Sequence, residues 1–94
     1  MVKATMYLWR LSPIDTTDPN WEASTYQGVA VVRAPDEAGA RETAEKEFGV
    51  KTRFPPGRGV TAPPWKRPAL VAAEIVADPR YQTDGPAEVL FPPR

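Results

Sequence analysis

Cysteine and histidine are both absent from these 94 residues. Without cysteine no disulfide framework can form; that fits a reducing compartment, and a cytoplasmic location is the expectation. The double absence also removes thiolate nucleophiles, imidazole bases and the ordinary zinc and haem ligands. An excess of one charge is lacking too. Lys plus Arg number 12 and Asp plus Glu number 12, so no global field draws the chain to nucleic acid or an anionic membrane. No apolar run approaches the ~20 residues that span a bilayer. Met1-Val2-Lys3 leads into a predicted strand rather than a signal-peptide core, so no membrane association is expected. There is no internal repeat, no phosphate-binding glycine loop and no nucleophile elbow.

Proline is plentiful instead. Twelve prolines are more than double the usual ~5%, and they cluster between apolar segments, which predicts a folded domain with stiff loops. Residues 1–94 make a single small domain. A chain of this size buries only roughly 60–65% of its unfolded surface, so a second subunit is a natural way to complete the core.

The stretch from Tyr26 to Gly49 organises the chain. Val29, Val31 and Val32 are β-branched and lie between Gly28 and Pro35, which predicts a strand over about 26–34. Pro35 pushes Ala34 out of helical geometry. Asp36 is then the expected N-cap of a helix over about 37–48, with Glu37 in its first turn and Gly49 as its stop. Ala40, Ala44 and Phe48 recur at four-residue spacing, a narrow stripe that places small side chains against a sheet. Glu37, Glu42, Glu45, Lys46 and Glu47 face water in this arrangement. Gly39 in the first turn costs roughly 1 kcal/mol against alanine, for no reason the sequence gives.

Residues 2–11 form the first predicted strand. Leu8 and Arg10 fall on one side and Tyr7, Trp9 and Leu11 on the other. Both sides are substantially apolar, so both need cover. Residues 12–25 read as a loop in which Asp18-Pro19 starts a single helical turn anchored by Trp21. Strand two returns antiparallel to strand one. A third strand is expected over 69–77, parallel or antiparallel to its neighbours. A short fourth is expected over 87–91, paired with the third. The fold class is α+β: a three- or four-stranded, mainly antiparallel sheet, β-β-α-β-β along the chain, with one helix on one face.

The long Pro/Gly-rich segment 50–68 is unusual inside a compact domain. Lys51, Arg53, Arg58, Lys66 and Arg67 fall in it with no acidic residue, and Phe54 and Trp65 are interleaved. With Trp21, these eight residues are the candidates for partner binding. Guanidinium and ammonium groups can meet phosphates while rings stack on bases, so a nucleic-acid-associated protein is the alternative function. The plainer account has Phe54 and Trp65 packing on the sheet while the charges are solvated or pair with the acidic helix.

For catalysis only carboxylates and hydroxyls remain: Asp15, Asp18, Glu22, Glu74, Asp78, Ser12, Ser24 and Tyr81. Glu74 interrupts an apolar strand, and an ordinary cross-strand partner for it is Arg10 or Arg33. Asp18-x-Asn20-x-Glu22 copies half of a calcium loop, but Pro19 stiffens it and no closing glutamate follows. Neither a metal nor a cofactor is implied. The function expected is a non-catalytic binding or interaction module, docking on a protein partner or on itself as a homodimer. Two apolar sheet faces against a single helix motivate the homodimer.

Overall fold

The computed structural model describes residues 5–49 and 64–92. It has a four-stranded antiparallel sheet in the order β3-β1-β2-β4 with one α-helix packed on it: β1 Tyr7–Pro13, β2 Ala30–Ala34, α1 Glu37–Phe48, β3 Val71–Val76 and β4 Glu88–Phe91. Among the described residues no helix is long and apolar enough to cross a membrane.

Helix α1 starts where its local chemistry dictates. The Asp36 carboxylate accepts from the Gly39 amide at 2.6 Å, satisfying a donor that the first turn leaves free. A Cβ on Gly39 would come within 2.9 Å of that same carboxylate oxygen, which gives the glycine a role in seating the cap. At the other end Gly49 stops the helix, but its φ of −68° is not left-handed. The chain leaves in an extended direction instead. Phe48 accepts from the Thr25 amide at 2.7 Å and Gly49 bridges to Ser24. Ala40, Ala44 and Phe48 are buried against the sheet as the stripe requires.

The first two strands begin later than expected. β1 runs on through Ser12 and Pro13 because these pair with Ala72 and Val71; residues 2–4 of the expected strand lie outside the described residues. β2 begins at Ala30, because Tyr26 turns inward and its hydroxyl donates to the Val29 carbonyl at 2.8 Å. The single helical turn is present as a 3₁₀ turn over Pro19–Ala23, capped by Asp18 and buried at Trp21.

One pairing departs from expectation. β4 does not pair with β3; it lies at the opposite edge, beside β2. β3 has taken the free side of β1, and β2 and β3 run in the same direction with β1 between them. The physical reason is burial. Beside β2, Val89 comes opposite Val32 and joins the core under the helix. That core comprises Leu11, Ala30, Val32, Ala34, Val71 and Val89 from the sheet, closed by α1, Trp21 and Trp65.

Candidate interaction surface

Trp65 is fully buried. Its ring centroid lies 5.4 Å from that of Trp21 at 80° and 5.1 Å from Phe48, and it stacks on Tyr26 at 6.5 Å. Edge-to-face and offset contacts of this kind add to area burial. Trp65 Nε1 donates to Ser24 Oγ at 3.0 Å and Trp21 Nε1 to the Asp15 carbonyl at 2.7 Å. Both tryptophans sit in loops, so as sequence they are candidate partner walls. In the fold they are core residues that complete the layer over the sheet, and both rings are buried.

The other candidates divide. Lys51, Arg53, Phe54 and Arg58 lie outside the described residues. Lys66 reaches Glu45 of α1 at 2.9 Å, and the hydrogen bond and charge of that carboxylate push its pKa up. Arg67 is exposed, while its carbonyl accepts from the Leu70 and Val71 amides at 3.0 Å each. The described basic side chain of Lys66 thus pairs with the acidic helix of its own molecule.

The carboxylates are engaged locally. Arg10 donates through Nε to Glu74 Oε1 at 2.8 Å, between directly opposed residues of β1 and β3. Asp78 accepts from the Arg80 guanidinium at 2.7 Å and the Arg80 amide at 3.0 Å. Those bonds hold its carboxyl down at about 2. Asp15, bonded by the Thr17 hydroxyl at 2.6 Å and amide at 3.0 Å, is also shifted downward. Both move away from the range of a proton donor at neutral pH. Asp18 caps its turn by accepting from Asn20 at 2.8 Å. Among the described residues no three His, Cys, Asp or Glu are placed to hold a metal ion.

The sheet face away from the helix carries the main surprise. Leu8, Val31 and Arg33 are all buried there. The cover comes from residues 77–87, which must travel from β3 at one edge to β4 at the other. β3 ends at Val76, opposite Leu8, and β4 begins at Glu88, opposite Arg33. The connection therefore crosses one end of the sheet. Arg33 holds it there, donating through Nε to the Pro86 carbonyl and through Nη1 to the Gln82 carbonyl, each at 2.9 Å, and pairing with Glu88. Gly85 makes room: its φ is +133°, and a Cβ on it would lie 2.7 Å from the guanidinium carbon. Further along this face the Arg10–Glu74 pair is exposed. Between these lies a cleft of about 320 Å³ lined by Val29, Val31, Arg80 and Phe91. The second face is closed by the chain itself at one end and polar in its middle, so core completion does not call for a companion there.

Among the described residues, what remains open is an edge. In the β1–β3 ladder the Ile14 amide donates to the Leu70 carbonyl at 2.9 Å, one step beyond the Pro13·Val71 pair. Bonded and non-bonded pairs alternate in an antiparallel ladder. Ala72, Glu74 and Val76 are therefore the residues bonded to β1, and the N–H and C=O groups of Ala73 and Ile75 point outward. Among the described residues no hydrogen bond reaches those groups. Val71 differs, since its amide is taken by the Arg67 carbonyl. The strand has no proline, glycine or lysine to guard it, and its one charge, Glu74, is turned to Arg10. Ile75 is 57% exposed and borders a shallow apolar cleft of about 400 Å³ with Tyr7, Pro79 and Tyr81.

No family model, curated protein or solved structure matches this chain. Sequence reasoning missed Arg33, Arg41 and the β3 edge. A clue lay in the first: Arg33 interrupts an otherwise apolar strand, where a charge without a partner would be costly.

Proposed function

We propose that this chain is a non-catalytic interaction module whose docking element is the outer edge of β3, which accepts an extended protein segment as an added strand. The observation that supports it is a row of outward N–H and C=O groups at Ala73 and Ile75 that no described residue meets, beside the apolar cleft of Tyr7, Ile75, Pro79 and Tyr81. Main-chain bonds supply affinity in strand addition, and pockets beside the edge supply preference for apolar side chains. β4 at the other edge is short, carries a register shift against β2 and is bounded by Pro86 and Pro92, features that discourage pairing.

Ala73→Pro tests this directly. The residue's amide points away from β1, so proline deletes an outward donor without removing a bond of the ladder. Cross-linked recovery of a specific protein from source cells by the wild-type chain, and its loss with A73P, is the expected result. Equal recovery by the two chains, with A73P folded by near-UV circular dichroism, would remove the β3 edge as the docking element.

A further inference from the structure

The cleft on the sheet face away from the helix has a floor and a rim of different chemistry. Register fixes the floor: Arg10 of β1 opposes Val31 of β2, and Val31 opposes Phe91 of β4. Opposed residues share a face, so these side chains stand in one row across the sheet. Val29 and Val76 flank the row, and Arg80 joins the lining from the segment that crosses the sheet. Val29 and Phe91 are both exposed, so the recess of about 320 Å³ leaves hydrocarbon in water.

Two guanidiniums border that floor, each pinned with a nitrogen to spare. Arg10 commits Nε and Nη2 to one oxygen of Glu74, and Arg80 commits Nε and Nη2 to Asp78. Nη1 of each donates to no described residue. The nearby acceptors are spoken for, because the Arg80 side chain takes both oxygens of Asp78. Unused donors above and apolar carbon below call for one kind of occupant. We propose that this cleft binds a small organic carboxylate with an apolar body. Its carboxylate meets the Nη1 groups of Arg10 and Arg80, and its body covers Val31 and Phe91. Asp78 lines the same cleft, so one negative charge is accepted more readily than the two of a phosphate. Each fork is already held by its own carboxylate, so little side-chain freedom is lost on binding.

NMR titration of the labelled full chain with benzoate tests this. Benzoate should move the methyl signals of Val29, Val31 and Val76 and the ring signals of Phe91, with a Kd of about 1 mM, the strength expected of so few atoms. Benzyl alcohol lacks the charge, while acetate and inorganic phosphate lack the apolar body; each should bind about ten-fold more weakly or worse. Arg80→Gln and Arg10→Gln, each folded by near-UV circular dichroism, should weaken benzoate about five-fold. Arg80→Lys should recover only part of the loss, since an ammonium is not a fork. Benzyl alcohol or phosphate binding as tightly as benzoate would overturn the assignment. So would an affinity unchanged in both glutamine variants, shifts confined to Tyr7, Ile75 and Tyr81 of the neighbouring cleft, or no shift at about 20 mM benzoate, well above the expected Kd. The outer edge of β3 takes no part in these contacts, so capture lost with A73P and benzoate binding stand or fall separately.

Discussion

The two faces of the sheet are sealed by different physics. On the helix side the seal is apolar: alanines at close spacing, four packed rings and buried valines. On the other side it is a polar clamp, in which one buried guanidinium gathers two main-chain carbonyls and a carboxylate from a crossing loop. The first kind tolerates displacement and loses stability in proportion to what is removed. The second depends on fixed directions, since Arg33 offers donors in a planar fork. A small domain with a single helix can therefore bury one face and cover one end of the other, provided one loop carries acceptors to the right place.

The largest effect should come from the apolar side. Trp65→Ala empties the centre of the ring cluster and should cost about 3–5 kcal/mol in urea unfolding. A loss under about 1 kcal/mol would show that the cluster is peripheral. On the polar side, Arg33→Met keeps the stem and deletes the fork, and should cost about 2 kcal/mol through the carbonyls left behind. Arg33→Lys should restore little of it, because an ammonium cannot reproduce the two-carbonyl geometry. Gly85→Ala should cost about 1–3 kcal/mol, from its positive φ and the approach to Arg33. Combined with Arg33→Met it should cost less than the sum, since the obstacle has been removed. Strict additivity would show that Gly85 answers only to its own backbone.

The smallest effect concerns Asp78. Its carboxyl titrates at about 2, below its ordinary 3.8, so its contribution to stability is present above the ordinary value and fades as pH falls through about 2. Thermal midpoints of wild type and Asp78→Asn should differ slightly at pH 5 and converge by pH 2. A gap that widened in acid would reverse the sign of this linkage. Arg80 is exposed and Asp78 half-buried, so the effect will be partly screened by salt.

The helix and its cap were legible from Asp36 to Gly49 because every signal involved lies within a few residues of the structure it makes. The turn at Pro19 and a cross-strand arginine for Glu74 were legible for the same kind of reason, short-range geometry or a conflict of one charge with an apolar strand; which arginine, Arg10 or Arg33, was settled only by the β1–β3 register. Trp21 and Trp65 were ambiguous. An indole in a loop fits an interface as well as a core, and only the arrival of Tyr26 and Phe48 decides. Arg41 reads as one more surface charge on the helix. Its burial depends on Glu37 at 3.1 Å and on the Trp65 carbonyl, also at 3.1 Å, an acceptor 24 residues away. Arg33 depends on acceptors still more distant in the chain.

By itself, the sequence determined the element types, the α+β class, the inward stripe of the helix and the absence of thiol and imidazole chemistry. These follow from local sterics, capping and residue chemistry, none of which needs a distant partner. The tertiary structure alone decided that β4 lies beside β2, that residues 77–87 close one end of the second face and that, among the described residues, no strand pairs with the outer edge of β3. Strand neighbours and buried charges are settled by which long-range contacts satisfy each group at once, and no short stretch of chain carries that information.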